Sequence, residues 1–335
     1  MSVDYFYSNY DYKTWHGHRL IAIDGSTASV PNNSQTREFY KTYTTNIMKG
    51  KKIVLVRLSK AQDVLNKITI DTHLSPLSIG EHSLAKRHLE KCWNNDILLL
   101  DRGYPGFKLF LDIKNIGADF CAQLAVSNWK VAKELVKSQE KEIIIEIKPS
   151  KNLIRKHKAE GLDYAPIKCR FIKIELDSGE QEVLITSLTD KEKYPYKYFK
   201  KLYHLRWYVE ESFKKIKHVL LLENFSGKFP LAIQQDFHAK TIYENFTSIL
   251  SFDIDKKISA NKNKNNKYKY QINYINAFTR FKEFFISLFY DTTINELIIL
   301  LRIRFLNEIS PIRPNRKYLR KKGKPPKYYR NYLWM

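Results

Sequence analysis

Two apolar runs of strand length each stop on an aspartate. Arg19-Leu-Ile-Ala-Ile-Asp24 is followed at once by Gly25-Ser-Thr27, and Asp96-Ile-Leu-Leu-Leu100 stops at Asp101-Arg-Gly-Tyr104. A continuous apolar run of this length, bounded by turn residues, reads as a buried strand. Aspartate is a poor strand former. The pattern predicts two buried strands that each deliver a carboxylate to the C-terminal end, where the sites of α/β proteins gather. Carboxylates buried at strand ends are costly unless a cation compensates them.

The surrounding chain supplies more α/β material. Lys52-Ile-Val-Leu-Val-Arg57 reads as a strand, and Ile68-Thr-Ile70 as a weaker one. Glu81 to Trp93 reads as a helix, with Leu84, His88 and Leu89 at helical spacing. Pro105 can open a further helix through Phe110 and Ile113 to Gly117. Residues 118–190 change character. Lys141-Glu-Ile-Ile-Ile-Glu-Ile-Lys148 is β-branched, and Ile167–Leu176 and Gln181–Leu188 flank Asp177-Ser-Gly-Glu180, a hairpin-type turn.

From Tyr196 to Glu223 the sequence has neither Pro nor Gly. Leu202, Leu205, Val209, Phe213, Ile216 and Leu220 recur at helical spacing and predict one long helix. Gly227 and Pro230 break it before a helix over 231–250. The expected organisation is a mixed α/β domain in two parts, 1–120 and 193–254, with a β-rich insertion at 121–192. A basic Lys/Asn linker at 255–270, a helical region at 271–308 and a basic flexible tail at 309–335 follow.

Charge narrows the partner. Lys and Arg number 58 against 35 Asp and Glu, a formal net charge of +23. Such an excess suits a polyanion, because each neutralised phosphate releases condensed counterions. The tail after Glu308 alone carries nine Lys or Arg and no acid. The three cysteines, Cys92, Cys121 and Cys169, are too scattered for a disulfide framework or a Cys-rich zinc site. That fits a reducing cytoplasmic setting. No apolar run reaches the length of a membrane span, and Met1–Tyr12 lacks the core of a signal peptide.

The helix around Glu210 adds a third acid. Tyr203, Arg206, Glu210, Lys214 and Lys217 stand at offsets 0, 3, 7, 11 and 14, which fall on one face of a helix. Alone, Glu210 and Lys214 would be an ordinary i, i+4 ion pair. With Asp24 and Asp101 they make a triad of acids beside phosphate-seeking cations. Such a set suits Mg²⁺ or Mn²⁺, hard ions that take carboxylate oxygens and keep waters for phosphates. Two such ions can activate a water or 3′-hydroxyl and stabilise the leaving oxygen.

These segments resemble the insertion-sequence DDE transposases of the IS-four family, which have a ribonuclease H-like catalytic domain. The resemblance is carried by Ile23-Asp24-Gly-Ser-Thr27, Leu99-Leu-Asp101-Arg-Gly-Tyr104, and Tyr203-His-Leu-Arg206-Trp-Tyr-Val-Glu210 through Lys217, with the family's Tyr-Arg-Glu-Lys spacing. It runs from about residue 15 to about 250. The 109 residues from Asp101 to Glu210 match the family's β-rich insertion. The resemblance implies that Asp24, Asp101 and Glu210 hold the metal, two Mg²⁺ or Mn²⁺ ions. Arg206, Lys217, Lys214 and Tyr203 would then hold DNA phosphates, with Arg102 a further contact.

The implied activity is cleavage at element ends followed by 3′-OH strand transfer into target DNA, by a homodimer on double-stranded DNA at the bacterial nucleoid. The rival readings are a ribonuclease H-like nuclease without strand transfer and an inactive remnant. Only 23 residues precede Asp24, where the family usually has a DNA-recognition region, so a shortened copy is expected. Trp207 and Phe213 read as core anchors rather than base-stacking residues. His16 and His18 read as surface residues rather than metal ligands. Lys108 and Arg102 read as ion-pair or phosphate contacts.

Overall fold

The computed structural model describes residues 2–44, 52–157, 165–176, 178–260, 268–290 and 293–313. The chain divides into two compact units. One comprises Tyr12–Ser26 and Arg57–Glu211; the other comprises Met1–Asp11, Thr27–Val56 and Ser212–Met335. The strands, in chain order, are β1 (Leu20–Ser29), β2 (Tyr43–Thr44), β3 (Lys52–Ile53), β4 (Leu55–Asp63), β5 (Ile68–Pro76), β6 (Ile97–Leu100), β7 (Asp119–Leu124), β8 (Glu142–Ile147), β9 (Ile167–Glu175), β10 (Gln181–Thr186), β11 (Lys269–Ile272) and β12 (Ile309–Ile312).

The first unit is built on an eight-stranded sheet of order β5-β4-β1-β6-β7-β10-β9-β8. β1, β6 and β7 run parallel at its centre, and β10, β9 and β8 continue antiparallel. The fold is therefore a mixed sheet flanked by helices, as expected. The β-rich segment between the second and third acids extends this same sheet. Asp177 of the expected turn lies outside the described residues.

The central strands are apolar because both faces are covered. Leu20 to Ile23 and Ile97 to Leu100 are all fully buried. The helix Phe107–Asn115 lies against β7, and Phe110 stacks on Phe120 with ring centroids 4.1 Å apart. The feet of β1 and β6 are tied by a buried bidentate pair. Arg19 Nε donates to Asp96 Oδ1 at 2.7 Å and Nη2 to Asp96 Oδ2 at 2.6 Å.

β4 and β5 are longer than their sequence suggests, because buried polar residues interrupt the apolar pattern. Ser59, Lys60, Gln62, Asp63, Thr69 and Thr72 are all buried there. The helix expected over 196–223 is broken. A short 3₁₀ turn (Tyr196–Tyr198) leads to the helix Phe199–His204, and a separate helix runs from Trp207 to His218. At the joint the amides of Leu205, Arg206, Tyr208 and Val209 each bond three residues back, to Leu202, Tyr203, Leu205 and Arg206. That tighter winding interrupts the regular α-helix.

The second unit is largely helical. Pro230–Ser251 is its longest helix, with Pro at the first turn. The residues expected as linker include the helix Ile254–Ala260, and residues 261–267 lie outside the described residues. β11 pairs antiparallel with β12, and Ile254, Ile272, Ala277, Phe281, Leu301 and Phe305 form the core there. The tail from residue 314 onward lies outside the described residues. No helix among those described is long and apolar enough to cross a membrane.

Candidate active site

β1 and β6 fix the positions of the first two acids. They pair in parallel with Ile23 opposite Leu100, so Asp24 and Asp101 follow at the same level; Asp101 directly follows the end of β6, but β1 does not stop on Asp24 as expected and runs on to Ser29. Asp24 Oδ1 accepts from the amide of Gly25 at 2.8 Å. Asp101 Oδ1 accepts from the amide of Gly103 at 2.8 Å, closing an Asx-type turn. A Cβ on Gly103 would stand 3.1 Å from Asp101 Oδ1, so a side chain there would crowd the carboxylate.

Glu210 comes from the first turn of the helix Trp207–His218. Arg206 Nη2 donates to Glu210 Oε1 at 2.8 Å. Arg206 is only 5% exposed, and its guanidinium lies 5.6 Å from the Tyr203 ring centroid and 5.3 Å from that of Trp207. Its Nε and Nη1 have no hydrogen-bond partner among the described residues.

The electrostatics join these groups. Burial pushes Asp24 up to about 7, and the nearby charges of Asp101 and Glu210 add to the rise, against the Gly25 amide and Arg206. Burial works against the Arg206 charge, yet Tyr203, Glu210 and Asp24 hold its proton more tightly than usual. Asp24, Asp101, Glu210 and Arg206 thus lie within one another's field in one unit.

Tyr203 is 4% exposed, and its hydroxyl donates to Gln123 Oε1 at 3.2 Å. The single polar helix face expected from spacing is therefore corrected. Tyr203 and Arg206 point inward, because the helix break at 205–206 re-aims them. Lys214 is exposed and Lys217 half-buried; both belong to the second unit. Lys217 Nζ donates to the carbonyl of Thr27 at 2.7 Å, and burial lowers its pKa against the pull of Glu223. Arg102 is exposed and borders a cleft of about 420 Å³ with Gln123, Ser127 and Glu182.

Three further expectations resolve. Phe213 is buried, but Trp207 is 48% exposed and is not a core anchor. His18 is buried rather than at the surface, its Nδ1 2.8 Å from the carbonyl of Asn95 and its Nε2 2.7 Å from Tyr194 Oη. Both ring nitrogens are thereby occupied. Lys108 pairs with Asp112 at 3.0 Å, one turn along its helix.

Sequence reasoning missed two residues. Glu81, the first residue of the helix Glu81–His88, ion-pairs with Arg57. Its Oε1 would lie 3.2 Å from a Cβ at position 25, so it stands over the residue after Asp24. Tyr104 is 1% exposed, and its hydroxyl has no hydrogen-bond partner among the described residues. Burial raises its pKa, and the charges of Asp24, Glu81 and Asp101 raise it further. Only the Gly80-Glu81 start of a helix signalled Glu81 in the sequence.

By donor type Asp24, Asp101 and Glu210 suit a hard divalent cation, while among the described residues their ligand oxygens do not all lie within 4.8 Å of one another. Asp24, Asp101 and Glu210 offer oxygen alone, the ligand type that Mg²⁺ and Mn²⁺ favour. Each carboxylate is anchored through one oxygen, and the other makes no hydrogen bond among the described residues. A buried acid whose charge is this costly is the group a cation would relieve.

A mixed sheet that delivers two acids from adjacent parallel strands, with a third from a helix, defines an α/β domain suited to metal-assisted phosphoryl transfer. The transposase DDE domain family matches residues 15–246. The chain belongs to this family, a membership that implies a divalent metal. A cryo-EM structure of the piggyBac transposase synaptic complex with hairpin DNA is similar at a TM-score of 0.44 and 9% identity. That similarity covers 86% of this chain and 53% of the other, so the chain spans about half the length of that protein. No curated protein matches the chain.

Proposed function

We propose that this chain cuts DNA at the ends of a mobile element and joins the freed 3′-hydroxyl to target DNA. The observation that carries this is the parallel register that brings Asp24 and Asp101 together, with Glu210 tied to Arg206, inside a transposase DDE domain. The partner is double-stranded DNA, which the net charge of +23 favours. Cutting two element ends calls for a homodimer on that DNA, at the bacterial nucleoid.

Asp24, Asp101 and Glu210 would hold Mg²⁺ or Mn²⁺, as two ions. When bound, such cations lower the pKa of an attacking water or hydroxyl and stabilise the leaving oxygen. The protein's own contribution is positioning. The register of β1 and β6 sets two carboxylates side by side. Arg206 orients the third and places a fixed positive charge where phosphate charge develops. Tyr203 acts from beneath by holding the Arg206 guanidinium against its ring. Lys214, Lys217 and Arg102 supply sequence-independent contacts to the DNA backbone.

The test is a cleavage and strand-transfer assay with Mn²⁺ on DNA carrying the ends of the element. Wild-type protein yields nicked and joined products. Asp24→Ala, Asp101→Ala and Glu210→Ala each abolish both while retaining DNA binding. Cleavage without joined product identifies a nuclease instead. Full activity in any of the three variants overturns the site.

A further inference from the structure

A second cluster in the same unit has different donor chemistry. β5 is the edge strand of the sheet, and Asp71 and His73, two apart on it, share one face. His88, the last residue of the helix Glu81–His88, meets them. His88 Nδ1 lies 2.6 Å from Asp71 Oδ2, and His73 Nε2 lies 3.1 Å from the same oxygen. One nitrogen from each imidazole and one carboxylate oxygen stand within 4.8 Å of one another.

We propose that Asp71, His73 and His88 form a binding site for a transition-metal ion, best matched by Zn²⁺. Two imidazole nitrogens and a carboxylate are a borderline-soft set, which suits zinc and leaves Mg²⁺ to the all-oxygen acids elsewhere. Ligand atoms on a tetrahedral zinc stand roughly 3.4 Å apart, from bond lengths of about 2.0–2.1 Å. The observed separations need open by less than an ångström.

The surroundings complete the site. His88 Nε2 lies 2.9 Å from Ser59 Oγ. With a metal bound, Ser59 would accept from Nε2–H and leave the Nδ1 lone pair for the ion, the outer-sphere arrangement common to metal-bound histidines. His73 Nε2 is enclosed and has no hydrogen-bond partner among the described residues. A bound metal would satisfy it. Cys92 directs its thiol to the carbonyl of His88 at 3.4 Å and is not a fourth ligand. Asp71 and His73 are partly exposed, which leaves an entry path and room for a water as that ligand. The ion would pin the edge strand to the helix that carries Glu81.

The test is zinc binding by the full chain, read by calorimetry and by metal content after dialysis. One Zn²⁺ per chain is expected, at micromolar affinity or tighter, undisturbed by excess Mg²⁺ and retained in Asp24→Ala. His73→Ala, at a partly exposed position that tolerates change, weakens it at least 100-fold. Ser59→Ala weakens it about 10–100-fold. Co²⁺ in place of Zn²⁺ gives the visible absorption of a tetrahedral nitrogen–oxygen site, absent in His73→Ala. No stoichiometric zinc, equal binding by His73→Ala, or displacement by Mg²⁺ overturns the proposal. Because Asp24→Ala removes the catalytic acid alone, failure here is separable from failure of the transposase reading.

Discussion

Arg19 and Asp96 meet in a bidentate pair of 2.7 and 2.6 Å, with side chains 3% and 1% exposed, at the start of β1 and β6, each five residues before Asp24 and Asp101. The Arg19 guanidinium also lies 3.4 Å from the Trp93 ring centroid, and Asp96 Oδ2 accepts from the Trp93 amide at 2.7 Å. The pair therefore locks the register that places the two acids together. Removing one partner of a buried pair leaves the other charged and uncompensated. Asp96→Ala is expected to cost about 3–5 kcal/mol, measured by urea unfolding. A loss under about 1 kcal/mol would show that the strands hold register without it.

Arg206 is the only cation whose hydrogen bond to any of the three acids is resolved among the described residues. Arg206→Ala leaves Glu210 free to turn and removes a charge that lowers the pKa of Asp24. Cleavage is expected to fall about 100-fold or more, as when a fixed charge-stabilising donor is lost. Arg206→Lys recovers little, since an ammonium cannot reproduce a planar guanidinium held between the Tyr203 and Trp207 rings. Near-normal cleavage by Arg206→Lys would reduce Arg206 to a general positive charge.

Asp24 gives the metal-free protein a pH dependence of definite sign. Its folded pKa of about 7 lies above the ordinary 3.8, so the native state binds the extra proton. Stability therefore falls as pH rises from about 4 to about 7 and levels off above that, by roughly 4 kcal/mol from this group. Asp24→Asn removes the penalty and is expected to be more stable than wild type at pH 8, while inactive. Mg²⁺ should stabilise wild type more at pH 8 than at pH 6 and release close to one proton on binding at pH 6. Calorimetry in buffers of different ionisation enthalpy reads that proton, and a pH-independent Mg²⁺ effect would remove Asp24 from the metal.

The sequence carried the sheet centre because its signal is local. Leu20–Ile23 and Ile97–Leu100 are buried on both faces and read as unbroken apolar runs. β4 and β5 were hard to read because tertiary burial of polar residues such as Lys60 and Asp63 breaks that pattern. The three acids were legible as a spacing motif, and strand pairing then set two of them together. Glu81 and Tyr104 were not, because their approach to Asp24 depends on chain segments far apart in sequence. The break at 205–206 escaped notice because neither Pro nor Gly marks it; only the inward turn of Arg206 does.

Trp207 and Phe213 were read alike from the sequence and should now behave differently. Phe213 is 4% exposed and Trp207 is 48% exposed. Phe213→Ala is expected to cost about 3–5 kcal/mol, the usual range for a buried aromatic. Trp207→Ala should cost less than about 1 kcal/mol, as at other exposed positions. Denaturant unfolding of the two variants checks the contrast, and equal losses would place Trp207 in a packed environment.

Tyr104 is the site residue whose cost and use separate most clearly. Its phenol is buried in the field of Asp24, Glu81 and Asp101, and its hydroxyl finds no partner among the described residues. An unsatisfied buried hydroxyl costs about 1–3 kcal/mol. Tyr104→Phe keeps the ring and its packing while deleting that group. The metal-free variant is therefore expected to be more stable by about 1 kcal/mol, visible as a higher denaturation midpoint at unchanged slope. If that hydroxyl donates to a phosphate oxygen or a bound water beside the acids, the same variant cleaves DNA more slowly. A less stable Tyr104→Phe protein would mean that the phenol is already bonded. A more stable protein with full cleavage would mean that the hydroxyl serves neither folding nor the reaction.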